Sequence, residues 1–126
     1  YQTVESLSGL SFAVENGSAG MEQAEAAGLD YVAMDTQAKA LMEVASGTSD
    51  AAIIDLLMAG AMIGEGTSYP DLTYTVQLNS EEYGVGFRKG SDLAEAFNNF
   101  WKEAYDAGTV METAKTYGVQ ESVIEK

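Results

Sequence analysis

The chain has 126 residues, 46% of them hydrophobic, with six Lys and Arg against twenty Asp and Glu and a formal net charge of -14. This length and apolar content are enough for a core. The negative charge excludes nucleic acid as a partner, because phosphate groups would be repelled. The chain has no Cys and no His, so thiol nucleophiles, imidazole bases and the usual zinc ligands are absent. We therefore expect no enzyme activity, no metal and no cofactor.

Apolar runs and helical patterns alternate between Leu7 and Tyr74, which is typical of a parallel sheet flanked by helices. A strand is predicted at residues 11–15, a turn at 16–20, and a helix that ends at Gly28. A second strand at residues 31–34 leads to a helix with Asp35 or Thr36 as its N-cap. The apolar face of that helix is predicted to contain Ala38, Leu41, Met42, Val44 and Ala45.

Residues 51–54 form an apolar run of the kind that a buried parallel strand needs, and Asp55 follows it directly. A short helix is predicted at 56–63, and alternating patterns predict strands at 72–78 and 83–88. Ser91 and Asp92 then cap a helix that Gly108 ends, and a last helix is predicted at 111–117. One side of the longer helix carries Leu93, Phe97, Trp101 and Ala104.

The turn after the first predicted strand is a candidate anion site. Backbone N–H groups that precede a helix suit a carboxylate, and Gly17, Ser18, Ala19 and Gly20 would supply them. Such turns are also common as simple helix caps, so this alternative stays open. A phosphate-binding P-loop is excluded, because no Gly-Lys-Ser or Gly-Lys-Thr follows.

Asp55 is the second candidate, because a carboxylate placed after a buried strand needs donors or a cation. It could cap the next helix, hold a ligand cation, or do both with its two oxygens. Ligands of open α/β sheets bind at the carboxyl ends of the strands, where both candidates are predicted to lie. Together they predict a site for a zwitterion, with amides for its carboxylate and Asp55 for its ammonium group.

Several segments resemble the polar amino-acid-binding proteins of ABC importers, also called family 3 extracellular solute-binding proteins. Residues 7–14 resemble the family's entry into its second lobe, and Gly17-Ser18-Ala19 resembles its Gly-Ser/Thr-Thr turn. Residues 41–55, LMEVASGTSDAAIID, resemble "alqaLasGrvDAaiiD" in that family. Residues 82–90 resemble "eeyGiavrKgd", and residues 101–118 resemble its closing segment. The resemblance spans almost the whole chain.

The resemblance implies a periplasmic-binding-protein type II lobe, an α/β fold with a mainly parallel sheet flanked by helices. Residues 1–81 would be the second, ligand-gripping lobe, and residues 82–126 a return strand and helices that pack on a first lobe absent from this chain. The turn, with Ser18 and Ala19 as its main contacts, would hold the carboxylate of a polar amino acid, and Asp55 its ammonium group. Ala19 stands where the family has Thr or Ser and offers only its backbone N–H.

The implied function is delivery of the amino acid to the membrane subunits of an ABC transporter, in the periplasm or as a cell-surface lipoprotein. The chain begins without Met or a signal-peptide pattern, so we expect an excised or processed fragment that carries half of the ligand site. Self-association or a swap of elements would cover its exposed surface. Two other functions stay open: a dehydratase-type enzyme on the same fold, and the sensor lobe of a receptor or regulator.

Overall fold

The computed structural model of the protein describes residues 1–124. The chain divides into two compact units, Tyr1–Ser80 and Glu81–Lys126, the second described as far as Ile124. The elements are a short 3-10 helix (Val4–Leu7), β1 (Ser11–Glu15), α1 (Ala19–Ala26), β2 (Asp30–Met34), α2 (Gln37–Ala45), β3 (Ala51–Ile53), α3 (Leu56–Met62), α4 (Leu93–Asp106), α5 (Thr109–Thr116) and a second 3-10 helix (Gln120–Ser122).

The first unit is built on a parallel sheet of three strands in the order β2-β1-β3. Phe12, Ala13 and Val14 of the central strand are almost completely buried. Successive side chains of a strand point to opposite faces, so both faces of β1 must be covered. Both α1 and α2 contact the sheet. The predicted α/β fold, a parallel sheet flanked by helices, is therefore confirmed.

Helix α2 begins as predicted, but two residues of its predicted apolar face, Met42 and Ala45, are exposed. Thr36 is its N-cap, because the Thr36 hydroxyl accepts a hydrogen bond from the backbone N–H of Lys39 at 3.2 Å. Ala40 and Leu41 are the buried residues of the helix. Met42 was predicted to join them, but its side chain is 59% exposed. That prediction is wrong because Ala40 and Leu41 occupy the positions that meet the sheet, and Met42 follows on the outer side.

The amino ends of β1 and β3 are tied by a side chain. Oδ2 of Asp50 accepts hydrogen bonds from the backbone N–H and from the hydroxyl of Ser11, both at 2.8 Å. These bonds, the backbone one first, hold the pKa of Asp50 below its ordinary value. The backbone N–H of Asp50 in turn donates to the carbonyl oxygen of Ser11 at 2.9 Å. Asp50 thus fixes the register in which β3 begins beside β1.

The strands predicted at residues 72–78 and 83–88 are absent, since residues 72–88 form neither strand nor helix. The alternation of apolar and polar side chains indicates which face of a strand would be buried. It does not supply the neighbouring strand that must satisfy the backbone N–H and C=O groups. Within the described residues these two segments have no such neighbour, and the sheet ends at β2 on one edge and β3 on the other.

In the second unit, α4 packs against α5. The Phe97 ring lies 5.9 Å from the Phe87 ring and 6.3 Å from the Trp101 ring, measured between centroids. The predicted apolar side of α4 thus makes ring contacts at Phe97 and Trp101. Leu93, on the same side of α4, is 56% exposed. Of the predicted tail, residues 125–126 lie outside the described part of the chain.

Candidate functional site

The strand order β2-β1-β3 makes successive connections run to opposite sides of β1. From the end of β1 the chain crosses to β2 on one side, and later it returns to β3 on the other side of β1. The crevice at the carboxyl ends of β1 and β3 is therefore a topological switch point, the usual ligand position in open α/β sheets. Residues 16–20 follow β1 there, and Asp55 follows β3. We call residues 17–20 together with Asp55 the switch-point site.

A tight turn leads from β1 into α1. The N–H of Ser18 donates to the carbonyl oxygen of Glu15 at 3.2 Å, and Gly17 within this turn has a φ of 70°. Such a positive φ strains any residue with a Cβ, which explains the glycine. The N–H of Asn16 donates to the carbonyl oxygen of Met34 at 2.8 Å, so the start of the turn is anchored to the end of β2.

Three backbone N–H groups remain for an anion at this turn. Within residues 1–124, the N–H groups of Gly17, Ala19 and Gly20 have no hydrogen-bond acceptor. The Ser18 N–H is used inside the turn, and the Ser18 hydroxyl oxygen caps α1 by accepting from the Met21 N–H at 3.1 Å. The alternative of a helix cap is thus realised at Ser18. The cap leaves the hydroxyl proton of Ser18 available for donation, because the oxygen acts only as acceptor.

Asp55 lies half-buried between β3 and α3. Its Oδ1 accepts hydrogen bonds from the backbone N–H groups of Leu57 at 2.8 Å and Met58 at 3.4 Å, so Asp55 caps α3. Carboxylate oxygens together accept about four hydrogen bonds. The capping role and a contact with a ligand ammonium group are therefore compatible at this residue.

The two halves of the site are brought together by a close approach of α1 to β3. A Cβ placed on Gly20 would lie 3.1 Å from both Cγ2 and the carbonyl oxygen of Ile53. Contacts this short leave no room for a side chain, so the first turn of α1 packs directly on the last residue of β3. Ile53 precedes Asp55 by two residues. The amides of the turn and the Asp55 backbone therefore belong to one compact corner of the first unit.

Gln37 joins this corner, although the sequence did not single it out. The backbone N–H of Asp55 donates to Oε1 of Gln37 at 2.9 Å. Gln37 is the first residue of α2 and follows the end of β2, so all three strands contribute to the corner. The two residues are 18 positions apart, and no local pattern signals such a contact. A glutamine at the start of a helix usually faces water.

Other polar residues of the first unit are engaged away from the site. The Tyr31 hydroxyl donates to the Glu25 carboxylate at 2.7 Å, and this bond raises the pKa of Tyr31. Asp35 is paired with Lys39, which holds the pKa of Asp35 below its ordinary value. Both pairs are exposed, so they contribute little to stability.

Neither a metal site nor a membrane span is found in the part of the chain that the structure describes. Residues 1–124 contain no group of three or more acidic side chains arranged to hold a metal ion. The helices over the same residues are too short or too polar to cross a bilayer. Comparison with known proteins assigns no family, since no family model, curated protein or solved structure matches the chain.

Proposed function

We propose that this chain is a ligand-gripping lobe of an extracytoplasmic amino-acid-binding protein, which delivers its ligand to the membrane subunits of an ABC transporter. The fold would be one lobe of the periplasmic-binding-protein type II class, with the rest of the ligand site on a lobe outside this chain. The resemblance of residues 41–55 to that family motivates the transport role. The geometry of the switch-point site supports the ligand class.

The ligand class follows from the two kinds of group at the site. The N–H groups of Gly17, Ala19 and Gly20 suit a carboxylate, since the positive end of α1 adds to their attraction. The Asp55 carboxylate suits an ammonium group, with which it forms a charge-assisted hydrogen bond. An α-amino acid carries both groups on one carbon atom. The observation that carries the proposal is the packing of Gly20 on Ile53, two residues before Asp55, which supports one site for both groups.

The proposal is tested by a titration that reports on individual backbone amides. The chain, labelled with nitrogen-15, is titrated with each of the twenty common L-amino acids, and with the N-acetyl derivative of any that binds. Where the chain is part of a longer protein, the titration is repeated on that protein. We expect shifts centred on the amides of residues 17–20 and on Asp55. The N-acetyl derivatives keep the carboxylate but lack the ammonium group, so they should bind much more weakly.

The matched variant is Asp55→Asn. Asparagine is as good an N-cap as aspartate, so α3 and the fold should be kept while the negative charge is lost. Removing the partner of a desolvated ammonium group should weaken amino-acid binding by about 2–5 kcal/mol. Equal binding by the parent and Asp55→Asn would reject the site assignment. Failure of every amino acid to shift residues 17–20 in both proteins would reject the ligand class.

A further inference from the structure

The Gln37 side chain reaches from the start of α2 to the segment that follows β3. Its Oε1 accepts the hydrogen bond from the Asp55 backbone N–H at 2.9 Å, and both residues are half-buried. The β1–β3 ladder ends at Ile53, so no neighbouring strand offers an acceptor to the Asp55 N–H. We propose that Gln37 is a positioning residue of the ligand site, which holds Asp55 in place for a ligand ammonium group; this inference rests on the proposed function.

Asp55 is restrained from two directions. Gln37 holds its backbone N–H, while the N–H groups of Leu57 and Met58 hold Oδ1 of its side chain. The restraint from α3 fixes the orientation of the carboxylate relative to that helix. The restraint from Gln37 fixes the Asp55 backbone relative to α2 and the end of β2. Because the carboxylate is already fixed before the ligand binds, ordering it on binding costs less free energy.

The helix start at α2 does not depend on Gln37. Thr36 is the N-cap of α2, and its hydroxyl accepts from the Lys39 N–H. Replacing Gln37 therefore leaves the cap in place. Gln37→Met keeps the length of the side chain and removes the acceptor. Gln37→Glu restores an acceptor oxygen at the same position. Gln23→Met, at a half-buried glutamine of α1 whose side chain has no hydrogen-bond partner among residues 1–124, is the matched control.

The first measurement does not involve a ligand. Hydrogen exchange of the Asp55 amide is followed by NMR in the parent chain and in the variants. We expect exchange at Asp55 to be faster in Gln37→Met, to return toward the parent rate in Gln37→Glu, and to be unchanged in Gln23→Met. Exchange at Leu57 should stay as in the parent, because its acceptor is Asp55 Oδ1. Equal exchange at Asp55 in the parent and Gln37→Met would overturn the inference at this step.

The second measurement uses glycine, the amino-acid head group without a side chain, and N-acetylglycine, which lacks the ammonium group. Gln37→Met should weaken glycine binding by at least about twofold, the lower end of the coupling seen between residues in contact. Binding of N-acetylglycine should be unchanged. In the background of Asp55→Asn, Gln37→Met should have no further effect on glycine. A merely structural role would instead lower Tm and weaken both compounds alike.

The outcomes separate the inference from the proposed function. If glycine shifts the amides of residues 17–20 and Asp55, but Gln37→Met binds it as the parent does, the positioning role is wrong and the proposed function stands. If Gln37→Met weakens glycine and N-acetylglycine equally, Gln37 acts on the fold and not through Asp55. If no amino acid shifts these amides, in the parent chain or in a longer protein that contains it, the ligand role of Gln37 fails together with the proposed function.

Discussion

Single residues decide how closely the elements approach at the switch point. Gly20 leaves the space that Ile53 occupies, since a Cβ at Gly20 would meet a side-chain carbon and a backbone oxygen of Ile53. The oxygen belongs to the last residue of β3 and cannot rotate away. Gly60, in the middle of α3, is also helical, but a Cβ there would meet no atom within 4 Å. Gly20 is therefore required by the close packing of α1 on β3, whereas the space around Gly60 would admit a larger residue.

We expect Gly20→Ala to destabilise the chain and Gly60→Ala to stabilise it. Overpacking costs about 1–3 kcal/mol, which exceeds the roughly 0.5–1 kcal/mol that alanine gains over glycine in a helix. At Gly60 there is no overpacking, so only the gain in helix propensity applies. Urea unfolding of the parent and both variants measures the difference. A free energy of unfolding that rises in both variants would show that α1 can move away from β3 at little cost.

Asp50 gives the stability of the first unit a dependence on pH. Its folded-state pKa lies below the ordinary value because Ser11 donates two hydrogen bonds to the charged form. Its contribution is therefore present above the unfolded value, about pH 4. The contribution is lost as the pH falls through the folded-state pKa. We expect Asp50→Asn to have a lower Tm than the parent at pH 7.

The difference in Tm between the parent and Asp50→Asn should shrink as the pH is lowered from 7 through the folded-state pKa of Asp50, because the parent side chain then becomes neutral like asparagine. Thermal unfolding followed by circular dichroism at several pH values measures it. Asp71→Asn is the control, since Asp71 is exposed and has no hydrogen-bond partner among residues 1–124. A difference that stays constant across this pH range would contradict the assigned role of Asp50.

At the scale of elements, α4 holds the second unit together through aromatic contacts and not through burial. None of the residues of α4 is fully buried, but Phe97 contacts the rings of both Phe87 and Trp101. Phe100, one turn further along the helix, is 63% exposed. The aromatic residues of α4 therefore differ in their contributions to the stability of the second unit.

We predict that Phe97→Ala lowers the free energy of unfolding of the second unit by about 1–3 kcal/mol, because two aromatic contacts are lost. Phe100→Ala should change it by about 0.5 kcal/mol or less, since the side chain is mostly in water. Trp101 is the only Trp of the chain, so its fluorescence during urea unfolding reports on this unit. Equal effects of the two substitutions on the free energy of unfolding would mean that the contacts of Phe97 with Phe87 and Trp101 do not add to stability.

At the scale of the whole molecule, basic residues are distributed unevenly, and both units expose large apolar side chains. Lys39 is the only basic residue before position 81, and the other five lie in residues 81–126. Large apolar side chains of the second unit are exposed to water, namely Tyr83, Val85, Leu93, Phe100 and Tyr117. Exposed apolar groups of this size favour association when they form a common surface.

We therefore predict that the chain self-associates through its second unit. The mass measured by light scattering should rise above 13.4 kDa as the concentration is increased from micromolar to millimolar. Phe100→Ser should reduce this rise, because it removes an exposed ring of the second unit. Val32→Ser, at an exposed valine of β2 in the first unit, should leave it unchanged. A constant mass of 13.4 kDa at every concentration would reject the prediction.

Local sequence patterns were sufficient for the three strands of the first unit. Strands were predicted at residues 11–15, 31–34 and 51–54, and the structure has β1, β2 and β3 at those places within a residue of each bound. The helix caps could be predicted for the same reason, namely those at Ser18, Thr36 and Asp55. Hydrophobic period and helix capping depend on residues a few positions apart, so one sequence is enough to read them.

Contacts between distant segments were decided only by the tertiary structure. The order β2-β1-β3, the packing of Gly20 on Ile53 and the bond from Asp55 to Gln37 each join residues far apart in the chain. The same holds for residues 72–88, whose alternation predicted strands that do not form. A local pattern specifies which face of an element is apolar. Which element covers that face depends on the folding of the whole chain, because pairing and packing compete over all segments at once.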